Sequence, residues 1–342
     1  MACRAQAGLE IVAFAGELLD LLVQQGVGAL QFPVAQQQTL NAFGKLIQER
    51  RGGHAGILRR QRTGCRLPHF DHNQGTMNLL PSRIVCLTEE TTEWLYLLGE
   101  QDRIVGISGY TVRPPQARHD KPRVSAFLSA KIDRILALKP DCVFRFSDLQ
   151  ADIASALIRA GVQVTVFNQR SVDQIFAMLF QVAAMVGQAD RGRQLLQAYR
   201  QRLDDMARLT RQWPRRPQVY FEEWDVPAIS AIRWVSELLA IAGGDDCFPE
   251  LAQQALGKDR IIADPMAVVA RAPDIIMGSW CGKKFRRELV AARPGWSSVP
   301  AVREGELHEI KSATILQPGP AALIDGVEQM HRLCAQWVER HG

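Results

Sequence analysis

Two short stretches of the sequence gather the side chains best suited to bind or transform a ligand. FEEWD at residues 221–225 places three carboxylates beside an indole, and SWCGKKF at 279–285 places a thiol between an indole and two lysines. Catalysis would use Cys281 as nucleophile, with its pKa lowered by Lys283 and Lys284 and a carboxylate of the first stretch as base. Neither stretch contains a histidine to complete such a set. The composition therefore favours ligand binding over covalent catalysis, and we expect no enzymatic activity.

These stretches belong to a larger set of aromatic and charged residues, each placed where an apolar, strand-like run ends. Aromatic faces suit a broad, flat, apolar ligand, and charged side chains suit polar groups at its rim. A solvated surface would also explain the charges of residues 221–225, and Trp234, which begins a helical pattern, could equally be a core residue. We expect the ligand to be bound by Glu89, Tyr110, Arg113, Phe127, Glu222, Trp224, Arg233, Trp234, Trp280 and Lys283.

An alternation of strands and helices positions these residues. Strand patterns at 83–87, 103–108, 142–146 and 162–167 alternate with helical patterns at 88–99, 132–138, 149–160 and 171–186. The rhythm restarts with strands at 218–223, 274–279 and 305–310 and helices at 234–242 and 321–339. ILALKPDCVFRFS at 135–147 matches VVARAPDIIMGSW at 268–280, which indicates an internal repeat. The pattern predicts two α/β lobes with parallel sheets, whose strands end at the ligand.

One long amphipathic segment separates the two halves. Residues 190–213 contain no proline, and Leu196, Tyr199, Leu203 and Met206 recur at three- and four-residue steps, as on one face of a helix. About 24 residues at 1.5 Å each reach about 36 Å, enough to carry the chain from one lobe to the next. The predicted fold is therefore two Rossmann-like lobes with mainly parallel sheets, joined by a single long helix. We expect an N-terminal lobe over 77–187, a bridging helix over 188–214 and a C-terminal lobe over 215–342.

The first 76 residues show no strand–helix alternation, and we expect them to be a poorly structured extension, with Met77 as the biological start. Acidic residues interrupt their apolar stretch, so they do not have the pattern of a secretory signal. No run of the chain reaches the length of a membrane span. The net charge of +5 is spread along the sequence, and the seven histidines form no metal-binding pattern. We expect neither a nucleic-acid partner nor a bound metal.

Seven cysteines without a CxxC motif favour reduced, buried thiols. This favours a cytoplasmic location.

PSRIVCLTEETTEWLYLLGEQDRIVGISGYTVRPPQA at 81–117, followed by KIDRILALKPD at 131–141, resembles the vitamin B12-binding proteins of bacterial ABC importers. More broadly, the chain from residue 81 onward resembles the substrate-binding proteins for iron-siderophores and cobalamin. The resemblance implies two lobes bridged by one helix, as in class III periplasmic binding proteins. It also implies a monomer that holds cobalamin or another corrinoid in the cleft as ligand, without a cofactor. Tyr110 and Phe127 match ligand-contacting loops of that family.

The resemblance further implies a periplasmic location and docking on a permease through one acidic residue of each lobe. Asp133 matches the first such position, whereas the second falls on Met266, with Asp264 nearby. Two alternatives stay open: a cytoplasmic corrinoid-binding or sensing protein without a permease, and an iron-siderophore binder.

Overall fold

A short apolar run, IVC at 84–86, forms the centre of the first sheet in the computed structural model, which describes residues 79–125, 132–147 and 151–342. The predictions for the first 76 residues, for Met77 and for Phe127 lie outside these ranges. The first half contains, in chain order, β1 Ile84–Cys86, α1 Glu89–Leu98, β2 Ile104–Ser108, α2 Ala117–Asp120, β3 Arg123–Ser125, α3 Ile132–Ala137, β4 Cys142–Phe146, α4 Ala151–Arg159, β5 Val164–Phe167 and α5 Val172–Met185.

These strands form one parallel sheet in the order β3-β2-β1-β4-β5. Ile84 of β1 pairs with Ile104 of β2 on one side and with Cys142 of β4 on the other. Strand β1 is fully buried, because helices cover both faces of such a sheet. The order places the carboxyl end of β1, and the start of α1 that follows it, in the middle of the sheet edge. Strand β3 has three residues and lies at the edge of the sheet, outside the strand patterns that the sequence predicted.

Helix α6, Ala189–Thr210, connects the two halves of the chain. Leu196 and Leu203 are buried, and Tyr199 and Met206 pack beside them, which confirms the predicted apolar stripe. Its 22 residues correspond to about 33 Å. No helix in the described ranges combines the length and apolar character that crossing a membrane requires.

The second half builds another five-stranded sheet. It contains β6 Gln218–Asp225, β7 Ala228–Ser230, α7 Arg233–Ala242, β8 Asp245–Asp246, α8 Pro249–Ala252, α9 Met266–Arg271, β9 Ile275–Gly278, α10 Arg287–Ala291, α11 Pro300–Arg303, β10 Leu307–Glu309, α12 Ser312–Ile315, a π-helical turn Ala322–Gly326 and α13 Val327–His341. The main order is β10-β9-β6-β7, with β8 beside β6. Only the β6–β7 pair among these is antiparallel. The two sheets and the long helix confirm the predicted fold class.

One hydrophobic cluster runs through both halves of this body. It includes Trp94 of α1, Leu196 of α6, Trp234 of α7 and Trp337 of α13. The Trp94 indole donates a hydrogen bond to the carbonyl of Leu179 at 2.7 Å, which ties α1 to α5. Because this shared core holds α1 and α7 in place, the loops at their N-terminal ends are carried on a rigid support.

Candidate functional site

Three glutamates lie at the start of α1, directly after the central strand of the first sheet. Glu89, Glu90 and Glu93 retain only 9%, 2% and 8% of their surface exposed. Burial, followed by the neighbouring charges of Glu90 and Glu93, raises the pKa of Glu89 to about 8. Burial likewise raises the pKa of Glu90 to about 7. Sequence reasoning identified only Glu89, although the EETTE run at a strand-to-helix junction pointed to all three.

Two of these carboxyl groups keep an unused oxygen. Within the described ranges, Glu89 Oε2 and Glu90 Oε1 are buried and have no hydrogen-bond partner. The other oxygen of Glu89 accepts a long hydrogen bond, 3.4 Å, from Nε2 of Gln317. Buried carboxyl oxygens are normally hydrogen-bonded, so this part of the molecule has capacity for additional donors.

A segment of the second half, residues 317–325, closes against the start of α1. Arg113 donates to Glu93 Oε1 at 2.8 Å and also pairs with Asp325, joining the loop after β2 to the π-helical turn. The backbone amide of Ala321 donates to Glu93 Oε2 at 3.2 Å. Gln169 donates from Nε2 to the carbonyl of Pro318 at 3.2 Å. Arg113 therefore joins the two halves, and its guanidinium is engaged by carboxylates of the protein itself.

Gly319 packs on the same glutamates. A Cβ atom at this position would lie 2.4 Å from Cβ of Glu90, so only glycine allows the approach. Sequence reasoning missed this segment, because nothing in a run of small and apolar residues marks it as a partner of a helix far away in the chain.

Glu222, within β6, is fully buried and accepts hydrogen bonds from several donors. Arg293 contributes two hydrogen bonds at 2.6 and 2.9 Å, the Tyr220 hydroxyl donates at 2.9 Å and the Trp280 indole at 3.0 Å. The next residue, Glu223, receives two hydrogen bonds from the buried Arg260. Both Glu222 and Trp280 are almost completely covered, so they form the layer beneath the surface of the candidate site.

Trp224 and Lys283 form the accessible surface next to these buried residues. The Lys283 ammonium lies 4.4 Å from the centre of the Trp224 ring and 5.1 Å from that of Trp280, and it forms an ion pair with Asp225. The Trp224 indole donates to the carbonyl of Val226 at 2.9 Å, which fixes the ring at the tip of the β6–β7 hairpin. Trp224 is half-buried and Lys283 exposed, so this aromatic and cationic surface is accessible to a ligand.

Cys281 follows β9 and lies within electrostatic range of charged residues from both halves of the chain. Desolvation, followed by the charges of Glu89 and Glu223, raises the pKa of its thiol. Glu89 follows the central strand of the first sheet and Glu223 lies in a strand of the second, so the carboxyl edges of the two sheets lie within electrostatic range. The lysines therefore do not activate Cys281: desolvation and the carboxylate neighbours both favour the protonated thiol, the opposite of what the catalytic alternative would require.

The remaining predicted residues lie in different surroundings. Tyr110 follows β2 and is 52% exposed. Arg233 is exposed and paired with Glu237 on its own helix at 2.8 Å. Trp234 is buried in the shared core, where its indole donates to the carbonyl of Ile315 at 3.0 Å, which corresponds to the core alternative. In the described residues, no cluster of three metal-ligating side chains occurs.

Residues 84–314 match the family described as periplasmic binding protein, and the chain belongs to this family. The match confirms the resemblance to substrate-binding proteins of ABC importers that the sequence predicted. Among relatives, an ABC transporter substrate-binding lipoprotein of Bacillus subtilis, YvrC, is 22% identical over 264 residues, 75% of this chain and 80% of the relative. A vitamin B12-binding protein of Vibrio cholerae is 24% identical over 254 residues, 72% of this chain and 87% of the relative.

Solved structures show the same fold. The periplasmic vitamin B12-binding protein BtuF of Vibrio cholerae superposes with a TM-score of 0.61 at 22% identity, covering 75% of this chain and 98% of that one. A periplasmic heme-binding protein of Pseudomonas aeruginosa gives a TM-score of 0.64 at 21% identity, covering 75% and 93%. The shared architecture therefore accommodates ligands of more than one kind.

Proposed function

We propose that this protein binds a corrinoid, with cobalamin as the first candidate, between the carboxyl edges of its two sheets and delivers it to an ABC importer. The observation that carries the proposal is that Glu89 of the first half and Glu223 of the second both help to raise the pKa of the Cys281 thiol, after desolvation, so residues that follow or end strands of both sheets lie near one another. In sheets of this class, ligands bind at that edge. The thiol is poorly suited to chemistry, which supports a role in holding a ligand without transforming it.

The two sides of the proposed site match different parts of a corrinoid. Tyr110 on one side and Trp224 on the other are exposed or half-exposed aromatic residues, suited to an apolar macrocycle. The glutamates at the start of α1 and the Lys283 ammonium provide polar contacts for groups at its rim. Phe127 remains a predicted contact on the first side.

Family membership supports the transport role, and the names of the relatives support the ligand class. The vitamin B12-binding protein of Vibrio cholerae aligns over 87% of its length. The lipoprotein YvrC supports a location outside the cytoplasmic membrane, which we propose for this chain as well. For docking on the permease we propose Asp133, which is exposed at the start of α3. On the second lobe, Met266 is exposed and Asp264 accepts a hydrogen bond from its amide at 2.9 Å.

Isothermal titration of the full-length chain with cyanocobalamin, hemin and ferric siderophores tests the proposal. We expect saturable binding of cyanocobalamin with one site per chain, and weaker or no binding of the two iron-containing ligands. Binding of a ferric siderophore alone would favour the siderophore alternative, and binding of hemin alone would exclude the corrinoid. A cytoplasmic sensor would show the same titration, so cell fractionation distinguishes it: an importer subunit is recovered outside the cytoplasmic membrane.

A further inference from the structure

We infer, building on the corrinoid function proposed above, that Glu89 and Glu90 form a carboxyl floor that selects ligands rimmed by amide groups over ligands rimmed by carboxylates. The term carboxyl floor denotes these two side chains. They follow the central strand of the first sheet, opposite Cys281 of the second. The inference concerns which corrinoid, or which derivative of the same ring, this site accepts.

Unused acceptors on buried side chains point to a ligand that brings hydrogen-bond donors. Glu89 Oε2, Glu90 Oε1 and Gln169 Oε1 are all buried and accept no hydrogen bond within the described ranges, although the side chains of Thr88 and Gln169 lie near enough to Glu90 to lower its pKa. The amide of Gln169 is oriented by its donor bond to Pro318, so its free atom is the acceptor. A buried acceptor without a partner costs about 1–3 kcal/mol in general, and N–H groups of a ligand would remove that cost.

The protein itself places a primary amide on the carboxyl floor. Nε2 of Gln317 reaches Glu89 Oε1 at 3.4 Å, a long and therefore weak hydrogen bond. An amide of the ligand could replace this contact or bind beside it. Acetamide and propionamide side chains around a corrin ring present the same donors, whereas carboxylates at those positions present none.

No cation of the described part neutralises the carboxyl floor through an ion pair. Arg113, the arginine of the adjoining loop, is engaged by Glu93 and Asp325. The charged groups that face Glu89 are Glu90 and Glu93 on its own helix and Arg118 on α2, and the Cys281 thiol lies beyond β9. An incoming carboxylate would therefore approach two carboxyl groups with little compensating positive charge, which disfavours it.

Burial supports the same selection. Because the pKa of Glu89 is raised to about 8, its carboxyl group is largely protonated near neutral pH and offers both a donor and an acceptor. A primary amide has the same pair of groups, so the two can form a double hydrogen bond. Above that pKa the group is an acceptor with a negative charge, which still suits an amide and repels a carboxylate. Preference for the amide should thus increase as the pH rises through about 8.

The test compares dicyanocobinamide, whose ring carries amides, with dicyanocobyrinic acid, which has the same ring and cobalt but carries carboxylates. Affinities are measured at about pH 9, above the pKa of both carboxyl groups, by titration of the full-length wild type, Glu89→Gln and Glu90→Gln. Glu339→Gln, on the exposed face of α13, serves as control. We expect wild type and control to prefer the amide probe by at least about tenfold, the equivalent of one charged hydrogen bond. In Glu89→Gln the preference should decrease about tenfold, mainly through stronger binding of the acid.

The outcomes separate this inference from the proposed function. If wild type binds both probes equally, or if both glutamine variants keep the full preference, the carboxyl floor does not select and the inference is overturned, while corrinoid binding stands. If neither probe nor cyanocobalamin binds, the corrinoid function fails and the inference fails with it. Circular dichroism of each variant establishes that a loss of affinity does not reflect unfolding.

Discussion

Replacing Glu89 by glutamine should stabilise the free protein, and more so at higher pH. The pKa of Glu89 is raised from 4.5 to about 8 in the folded protein by burial and by Glu90 and Glu93. The folded state therefore binds this proton more tightly than the unfolded state does, and the free energy of unfolding of wild type decreases as the pH rises from about 4.5 to about 8. Glutamine carries no titrating proton, so the variant lacks this decrease.

The size of the effect follows from the shift. At about 1.4 kcal/mol per pKa unit, the part of the shift expressed between about pH 5 and pH 8 corresponds to about 3 kcal/mol. For a body of this size, that is an increase in Tm of about 6 to 12 °C for the variant relative to wild type at the upper pH. At the lower pH the two proteins should differ by much less, because the pH is then only slightly above the 4.5 at which Glu89 ionises in the unfolded state, and little of the shift is yet expressed.

Thermal and urea unfolding, followed by tryptophan fluorescence at constant ionic strength, measure this difference at a series of pH values. Glu339→Gln, an exposed carboxylate on α13, is the matched control and should follow wild type throughout. A difference between Glu89→Gln and wild type that stays constant from about pH 5 to pH 8 would refute the reasoning, since it would mean that Glu89 titrates alike in both states. Destabilisation at all pH values would show that glutamine does not reproduce the packing and hydrogen bonding of the Glu89 side chain.

Three further predictions concern the aromatic residues and the thiol. Trp224→Ala should leave the unfolding transition unchanged within about 1 kcal/mol and weaken cyanocobalamin binding at least about fivefold, because the ring is half-exposed at the site; unchanged affinity in titration would remove it from the site. Trp234→Ala should lower the free energy of unfolding by about 3–5 kcal/mol, since it empties the shared core, whereas Trp234→Phe should lose less; a variant as stable as wild type in urea would contradict its core role. Cys281 should react with iodoacetamide near neutral pH no faster than free cysteine, because its pKa is raised; rapid labelling detected by mass spectrometry would contradict this.

The longer helices and strands of this fold could be predicted closely from the sequence, whereas the shortest elements could not. The predicted helix over 190–213 is observed as Ala189–Thr210, and the strand over 142–146 as Cys142–Phe146. Both are set by local periodicity and by proline and glycine at their ends. Strand β3, by contrast, has only three residues, and strands of that length form because a neighbouring strand offers hydrogen bonds. The terminal helix predicted over 321–339 begins as a π-helical turn, whose irregularity no local pattern indicates.

Patterns along the chain were enough to predict that charged and aromatic residues follow the strands, that two α/β halves exist, and that one helix connects them, because all of these depend on neighbouring residues. Which of the charged side chains are paired could be read only from the folded structure. Glu222 is enclosed by four hydrogen bonds from Arg293, Tyr220 and Trp280, whereas Glu89, of the same residue type, keeps a free oxygen. Arg113 meets Asp325 from 212 residues away. Burial and pairing depend on groups brought together from remote segments. The free energy of an ionised side chain is therefore set by the tertiary structure and not by its neighbours in the sequence.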